Sequence, residues 1–202
     1  TGLGYYIIRM GKNIKKPFPF KNEKFIDYAV SDERNDFLDI WLTSKCFFIY
    51  GPSGGLVDMS VVFNKPHLVT EKFPPGRIMS FHPKSSFLFN LSEKNKKLLS
   101  IKDLIKLGAN WIIDGTYYYN NSIKVLNNNP DDILNSLIDF IEKMEKGFKL
   151  SKLNKLFWKK MSIESNKSKE IRKFDYFHDK NFITANIPDF YLKKYKRLFI
   201  EN

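Results

Sequence analysis

The chain has 202 residues, of which 43% are hydrophobic, and this composition excludes disorder along the whole length. The single cysteine, Cys46, excludes an internal disulfide and a cysteine-rich metal site. The formal net charge of +12 suits an anionic partner, but acidic residues are scattered through most of the sequence, so the charge alone identifies none.

The beginning of the chain indicates a piece of a larger protein. It starts at Thr1 rather than at a methionine, and the apolar segment Tyr5–Met10 follows at once. We therefore expect an N-terminal domain to be missing. No apolar stretch approaches the roughly 18 to 20 residues that cross a bilayer, so we expect a cytoplasmic location, at most peripheral to the inner membrane.

Short apolar runs alternate with segments of helical period, which is typical of strands buried on both faces by crossover helices. The predicted fold class is α/β, with a Rossmann-like parallel sheet and helices on both faces. The predicted strands are Tyr5–Met10, Phe25–Ala29, Cys46–Tyr50, His67–Thr70 and Phe87–Leu91.

Two helices are predicted between the early strands. Ser31 is the expected N-cap of the first, whose apolar face contains Phe37 and Trp41. The second covers Leu56–Phe63 and ends before Pro66. Prolines and glycine predict a loop from residue 71 to residue 86.

Local end signals define the later helices. Ser100 and Asp103 have capping-box spacing, and Gly108 ends the helix that they begin. Asn129 followed by Pro130 begins a second helix, which has an apolar stripe up to Gly147. We predict a nucleotide-sugar-binding domain over residues 1–148 and a helical extension over residues 149–202.

The segment Lys149–Met161 is a predicted basic helix, with an apolar face and lysines on the remaining surface. A separate predicted helix, Pro188–Leu198, closes the chain. Two interpretations of this basic helix stay open. It could adsorb to an anionic membrane surface through its lysines. Alternatively, its apolar stripe docks on this domain or on a missing one, and the lysines face water.

The most informative element is Gly51-Pro52-Ser53-Gly54-Gly55, between a predicted buried strand and a predicted helix. The first amides of a helix lack intrahelical partners and attract anions, and glycines remove side chains that would block approach. The segment could therefore bind phosphate through Gly51, Ser53, Gly54 and Gly55. The alternative is a tight turn in which glycine only permits close packing.

Several separated segments resemble, in order, a family of bacterial glycosyltransferases found in surface-polysaccharide gene sets. The resemblance covers most of the chain, from about Gly4 to Gly147. The segments are Ile7-Ile8-Arg9-Met10-Gly11, Ile26-Asp27-Tyr28-Ala29, Asp36-Phe37-Leu38-Asp39-Ile40, Phe47-Phe48-Ile49, Ser53-Gly54-Gly55-Leu56, Lys65-Pro66 and Asn128-Asn129-Pro130-Asp131-Asp132-Ile133.

The resemblance implies a GT-B-like enzyme of two Rossmann-type domains, with this chain as the C-terminal half that holds the sugar nucleotide. The glycine turn departs from the family, which usually has Gly-Thr or similar before Ser-Gly, where this chain has Gly51-Pro52. Pro52 lacks an N–H, which removes one donor to a phosphate.

Three further residues are candidates for substrate binding. Arg9 is expected at the carboxyl end of a strand, where its guanidinium could bind a diphosphate or pair with an acidic neighbour. Asp27 could bind a ribose or base hydroxyl, or cap a loop. His82 is placed in the proline-rich loop at a cleft edge.

The predicted function is transfer of a sugar from a nucleoside-diphosphate donor to a surface polysaccharide or lipid-linked acceptor. No residue is assigned a catalytic role, and we expect neither a cofactor nor a metal. The alternative is a non-catalytic module that binds nucleic acid or an acidic glycan through a basic surface; dispersed charge disfavours nucleic acid.

Overall fold

The computed structural model describes residues 2–78, 82–167 and 185–201, and it shows an α/β chain with parallel strands in small sheets. The strands are β1 Ile7–Ile8, β2 Phe25–Ile26, β3 Ile49–Pro52, β4 His67–Lys72, β5 Ser85–Phe89, β6 Leu91–Lys94, β7 Lys97–Leu98 and β8 Ile123–Leu126. The helices are α1 Asp36–Lys45, α2 Gly55–Val62, α3 Ile101–Lys106, α4 Gly115–Asn120, α5 Pro130–Lys146, α6 Lys152–Lys167, α7 Asp189–Lys194 and α8 Lys196–Phe199.

The centre of the fold is the parallel sheet β3-β4-β5, in which α2 forms the crossover from β3 to β4. Ile49 pairs with His67, and His67 in turn pairs with Ser85. All five residues of β5 are buried, as expected for a strand covered on both faces. The α/β class and the parallel sheet are therefore confirmed, and the arrangement is consistent with a Rossmann-like fold.

The N-terminal strands differ from the prediction. β1 and β2 form a separate two-stranded parallel sheet of two residues each, and the Ile7 side chain is 41% exposed. The predicted buried strands over Tyr5–Met10 and Phe25–Ala29 are therefore wrong in length and in burial. Apolar composition alone suggested burial, but a side chain is buried only where other elements cover it.

The start of α1 also differs. Ser31 ends a short 3-10 helix, Tyr28–Val30, and α1 begins at Asp36, with Asn35 as its N-cap. The Asn35 side chain accepts a hydrogen bond from the Leu38 amide at 2.9 Å, as an N-cap requires. On the predicted apolar face, Phe37 is 72% exposed.

A three-stranded antiparallel sheet, β7-β6-β8, was not predicted. β6 and β7 form a hairpin whose turn residues, Asn95 and Lys96, have φ angles of 51° and 62°. Two consecutive positive φ angles define the turn type that matches the twist of paired strands. The sequence signal is weak because the turn has lysine where glycine is usual and the strands are largely polar.

The later helix ends are confirmed. The Ser100 hydroxyl accepts from the Asp103 amide at 3.1 Å while the Asp103 carboxylate accepts from the Ser100 amide at 3.0 Å. The Asn129 side chain caps α5 by accepting from the Asp131 amide at 2.8 Å. Gly108 and Gly147 follow the helices with φ angles of 69° and 92°.

The C-terminal helices pack into the same hydrophobic cluster as the central sheet. Phe157, Met161 and Tyr191 are buried together with Phe87 and Phe89 of β5. Residues on both sides of the predicted boundary at 148 thus share one core, while the division into two domains itself stays a prediction. The predicted last helix is two short helices, with the break at residue 195.

Asn154 of α6 forms hydrogen bonds with the segment that precedes α7. Its side-chain oxygen accepts from the Ile187 amide at 2.7 Å, and its amide nitrogen donates to the Ile187 carbonyl at 2.9 Å. The neighbouring Asn186 bridges to Ser86 in a parallel arrangement, so this segment lies along β5. Within the described residues, no helix is both long enough and apolar enough to cross a bilayer.

Candidate functional site

The glycine turn lies at the carboxyl end of β3. Gly51 and Pro52 belong to the strand, Gly54 is the N-cap of α2, and Gly55 is the first helical residue. Pro52 is tolerated because β3 is an edge strand of its hydrogen-bonded sheet. The turn is thus shorter than predicted, and Ser53 is the first residue after the strand.

The beginning of α2 is open to an incoming group. Gly54 and Gly55 are exposed, and a Cβ atom built on either meets no heavy atom within 4 Å. No side chain caps the helix, and the first helical hydrogen bond runs from the Asp58 amide to the Gly54 carbonyl at 3.0 Å. No side chain therefore covers the first turn at these two glycines, which is one condition for binding an anion there.

Lys72, the last residue of β4, reaches the same turn. Its Nζ lies 3.2 Å from the Ser53 hydroxyl. Burial lowers the pKa of Lys72 below its ordinary value; Asp58 opposes this shift and Arg77 adds to it. The structure thus brings a cation beside Ser53 that was not predicted. The available signal was its position at the carboxyl end of a parallel strand, but the predicted strand ended at Thr70.

Glu71 and Asn128 hold the ends of neighbouring elements together. The Glu71 amide donates to the Asn128 side chain at 2.8 Å, and the Asn128 amide donates back to the Glu71 carboxylate at 2.9 Å. The Asn128 side chain also donates to the Phe89 carbonyl at 2.7 Å. These bonds fix the carboxyl ends of β4 and β5 to the segment before α5. Glu71 makes them with a φ angle of 51°.

Arg9 and Asp27 bind each other. Arg9 Nε lies 2.6 Å from one Asp27 oxygen and Nη2 lies 2.9 Å from the other, a bidentate pair. Partial burial acts to raise the pKa of Asp27, but hydrogen bonding from the Phe18 amide and from Arg9 holds it below its ordinary value. The guanidinium also donates to the Lys16 carbonyl. The contacts of Arg9 therefore match the ion-pair alternative left open by the sequence.

His82 lies at the amino ends of the strands of the central sheet, away from the glycine turn. It precedes β5, is buried, and its ring centroid lies 4.7 Å from that of His67 at the start of β4. Because the strands are parallel, these amino ends lie opposite the carboxyl end that carries Ser53. The structure does not bring His82 to the glycine turn.

The basic helix has its apolar face inside the protein. Phe157, Trp158 and Met161 are buried, and the Trp158 indole donates to the Ala185 carbonyl at 2.9 Å. Lys152 and Lys155 are exposed. The apolar stripe thus docks on this chain, which leaves only the outer lysine face available to a membrane.

Two findings bear on the kind of site. Within residues 2–78, 82–167 and 185–201, no group of three or more His, Cys, Asp or Glu side chains is arranged to hold a metal ion. No model of a known protein family, no curated protein and no solved structure matches the chain. The glycosyltransferase resemblance therefore rests on the sequence segments alone.

Proposed function

We propose that the chain binds a nucleoside-diphosphate sugar at the carboxyl edge of the central sheet, as the donor half of a GT-B-like glycosyltransferase. The acceptor would be a surface polysaccharide or a lipid-linked glycan. A second domain, outside this chain, would supply the remaining groups needed for transfer.

One observation carries the proposal: the uncapped start of α2 faces open space while Lys72 Nζ lies 3.2 Å from the Ser53 hydroxyl. A diphosphate placed there would accept hydrogen bonds from the amides of Gly54 and Gly55 and from Ser53. Lys72 would compensate its charge. The carboxyl edge of parallel strands is where ligands of open α/β sheets bind.

The roles predicted for Arg9 and Asp27 change under this proposal. Arg9 is occupied by Asp27, so the pair would shape the N-terminal loop rather than neutralise the leaving group. Lys72 takes the role of leaving-group cation instead, with Arg77 close enough to lower its pKa. Binding of an anion would offset the repulsion between these two cations.

The direct test is titration calorimetry of the chain with UDP, GDP, CMP and their common sugar conjugates. We expect binding of at least one nucleotide, weakened about 10- to 100-fold in Lys72→Met, because a charge-assisted hydrogen bond contributes about 1.5 to 3 kcal/mol. Lys149→Met, an exposed lysine on the C-terminal side, is the control and should bind like the parent.

Two results would contradict the proposal. One is the absence of binding heat with every nucleotide and conjugate in the panel. The other is binding that Lys72→Met leaves unchanged while it declines steeply with salt, which would instead support a basic surface that binds polyanions.

A further inference from the structure

The glycine turn has a second property that phosphate binding does not use. Gly51-Pro52-Ser53-Gly54-Gly55 has the spacing Gly-x-Ser-x-Gly, and it lies between a strand and a helix. That spacing in that context resembles the nucleophile elbow of serine hydrolases, in which the serine projects from a sharp strand-to-helix turn. The sequence signal was present in this chain, although no nucleophile was predicted from it.

Ser53 also has a base beside it. Lys72 Nζ lies 3.2 Å from its hydroxyl, within hydrogen-bond reach. His67 and His82 begin or precede strands and so lie at the opposite edge of the sheet. Serine nucleophiles on unrelated folds are activated by lysine as well as by histidine. Lys72 is therefore an amine within reach of Ser53 that could act as its base.

An oxyanion site follows from the same turn. In a nucleophile elbow the amide after the serine stabilises the tetrahedral intermediate, and here that residue is Gly54. Gly54 has φ 170° and ψ 172°, an extended conformation that carries the chain into α2. Since neither Gly54 nor Gly55 has a side chain and the space around both is open, a carbonyl oxygen can reach their amides.

We propose that Ser53 is a nucleophile toward carboxylic esters, with Lys72 as its general base and the amides of Gly54 and Gly55 as oxyanion donors. This activity does not depend on nucleotide binding. Its substrate would be an ester, with Arg77 favouring an acyl donor that carries a negative charge.

The bonds and protons balance without a further reactant. The Ser53 oxygen bonds to the acyl carbon, its proton passes to the neutral Lys72 amine, and the carbonyl oxygen becomes the oxyanion. Collapse breaks the ester bond, and the leaving alcohol takes the proton from Lys72. Water then attacks the acyl-serine and gives a proton to Lys72; collapse breaks the bond between the acyl carbon and the Ser53 oxygen, which takes that proton back. Net, an ester and water give an acid and an alcohol.

The environment of Lys72 agrees with this role. A lysine acts as a base only in its neutral form, and burial together with Arg77 lowers the pKa of Lys72. Asp58, in the first turn of α2, opposes that shift. The balance of these groups sets the pH above which Ser53 would react.

The test is covalent labelling of the intact chain with an alkyl fluorophosphonate, which nucleophilic serines displace with loss of fluoride. Intact mass and peptide mapping should show one adduct on Ser53, with a rate that rises with pH as Lys72 loses its proton. Ser53→Ala should remove the adduct, and Ser44→Ala, on α1, should keep it.

Lys72→Arg tests the role of Lys72 as the base. Arginine keeps the positive charge but does not lose its proton in proteins. We expect the labelling rate to fall at least 100-fold, within the range of about 100- to 10,000-fold typical of general-base catalysis. Absence of a Ser53 adduct in the parent chain, or an equal rate in Lys72→Arg, would overturn the inference whatever the nucleotide titration shows.

Discussion

Lys72 Nζ lies 3.2 Å from the Ser53 hydroxyl although 19 positions separate the two residues in the sequence. They meet because β3 and β4 are parallel and adjacent, so that both strands end at the same edge of the sheet. This contact places a cation next to the uncapped first turn of α2. Both the proposed nucleotide site and the proposed nucleophile depend on it.

A bulky side chain at the start of α2 should block the site without unfolding the protein. In Gly55→Leu the new Cβ meets no atom within 4 Å, so we expect the free energy of unfolding to change by less than about 1 kcal/mol. Nucleotide affinity, measured by calorimetry, should fall at least tenfold because leucine covers the first-turn amides. Gly115→Leu, at the equally open start of α4, is the matched control. Equal loss of affinity in both variants would contradict the assignment.

Protonation of His67 should destabilise the fold in acid. Burial lowers the pKa of His67 from 6.5 to about 4; hydrogen bonding to the Lys65 carbonyl opposes this shift and His82 adds to it. In the folded state His67 therefore takes up its proton at a lower pH than in the unfolded chain. Its contribution to stability is complete above about pH 6.5 and is lost as the pH falls toward 4.

The measurement is urea unfolding at several pH values for the parent and for His67→Phe. Integration of the shift gives a loss of about 3 kcal/mol between pH 7 and pH 4 in the parent. The pH dependence should be smaller in His67→Phe, which cannot take up a proton at this position. If the two curves run parallel across that interval, His67 is not the group responsible.

Truncation of Phe157 should show that α6 belongs to the core of the central sheet. Phe157 is fully buried against Phe89, with ring centroids 5.7 Å apart, whereas Leu156 is 50% exposed. We expect Phe157→Ala to lower the free energy of unfolding by about 3 to 5 kcal/mol and Leu156→Ala to change it by less than 1. Thermal unfolding followed by circular dichroism, in the near-UV for the aromatic side chains and in the far-UV for the helices, would measure this. A separate, low-temperature transition confined to the helical signal would show instead that α6 unfolds by itself.

The capping box at the start of α3 should contribute measurably to stability. Ser100→Ala removes the hydroxyl that accepts from the Asp103 amide, and N-cap losses cost about 0.5 to 2 kcal/mol. Ser44→Ala, in the last turn of α1, is the control, since that hydroxyl donates to the Trp41 carbonyl of its own helix instead of capping an N-terminus, and alanine favours helix. Denaturant midpoints of the two variants give the comparison, and a Ser100→Ala midpoint equal to that of the parent would refute the role of the cap.

Cap and turn signals were predictable because their bonds form within a few residues. Ser100 bonds to Asp103, and Asn129 to Asp131, whatever the rest of the chain does. Runs of apolar residues likewise located β4 and β5. The same reasoning failed for Tyr5–Met10, because an apolar run shows that a strand can be buried but not that anything covers it.

The candidate site was predicted in part. The glycine turn between a strand and a helix followed from Gly51 to Gly55, and its openness agrees with the expectation. Lys72 was missed, since its role depends on the register between β4 and β3. For Arg9 the sequence left open a diphosphate or an acidic neighbour, and a partner 18 positions away, Asp27, occupies its guanidinium.

What the sequence by itself determined is the α/β class, the ends of α3 and α5 and the turn that opens α2, since each follows from hydrogen bonds or hydrophobic periodicity over short distances. The tertiary structure alone decided that Lys72 meets Ser53, that Arg9 binds Asp27 and that His82 lies at the amino ends of the central strands, opposite the glycine turn. The reason is that side chains distant in sequence come together only through strand order and register, and a one-residue shift in register turns a side chain to the opposite face.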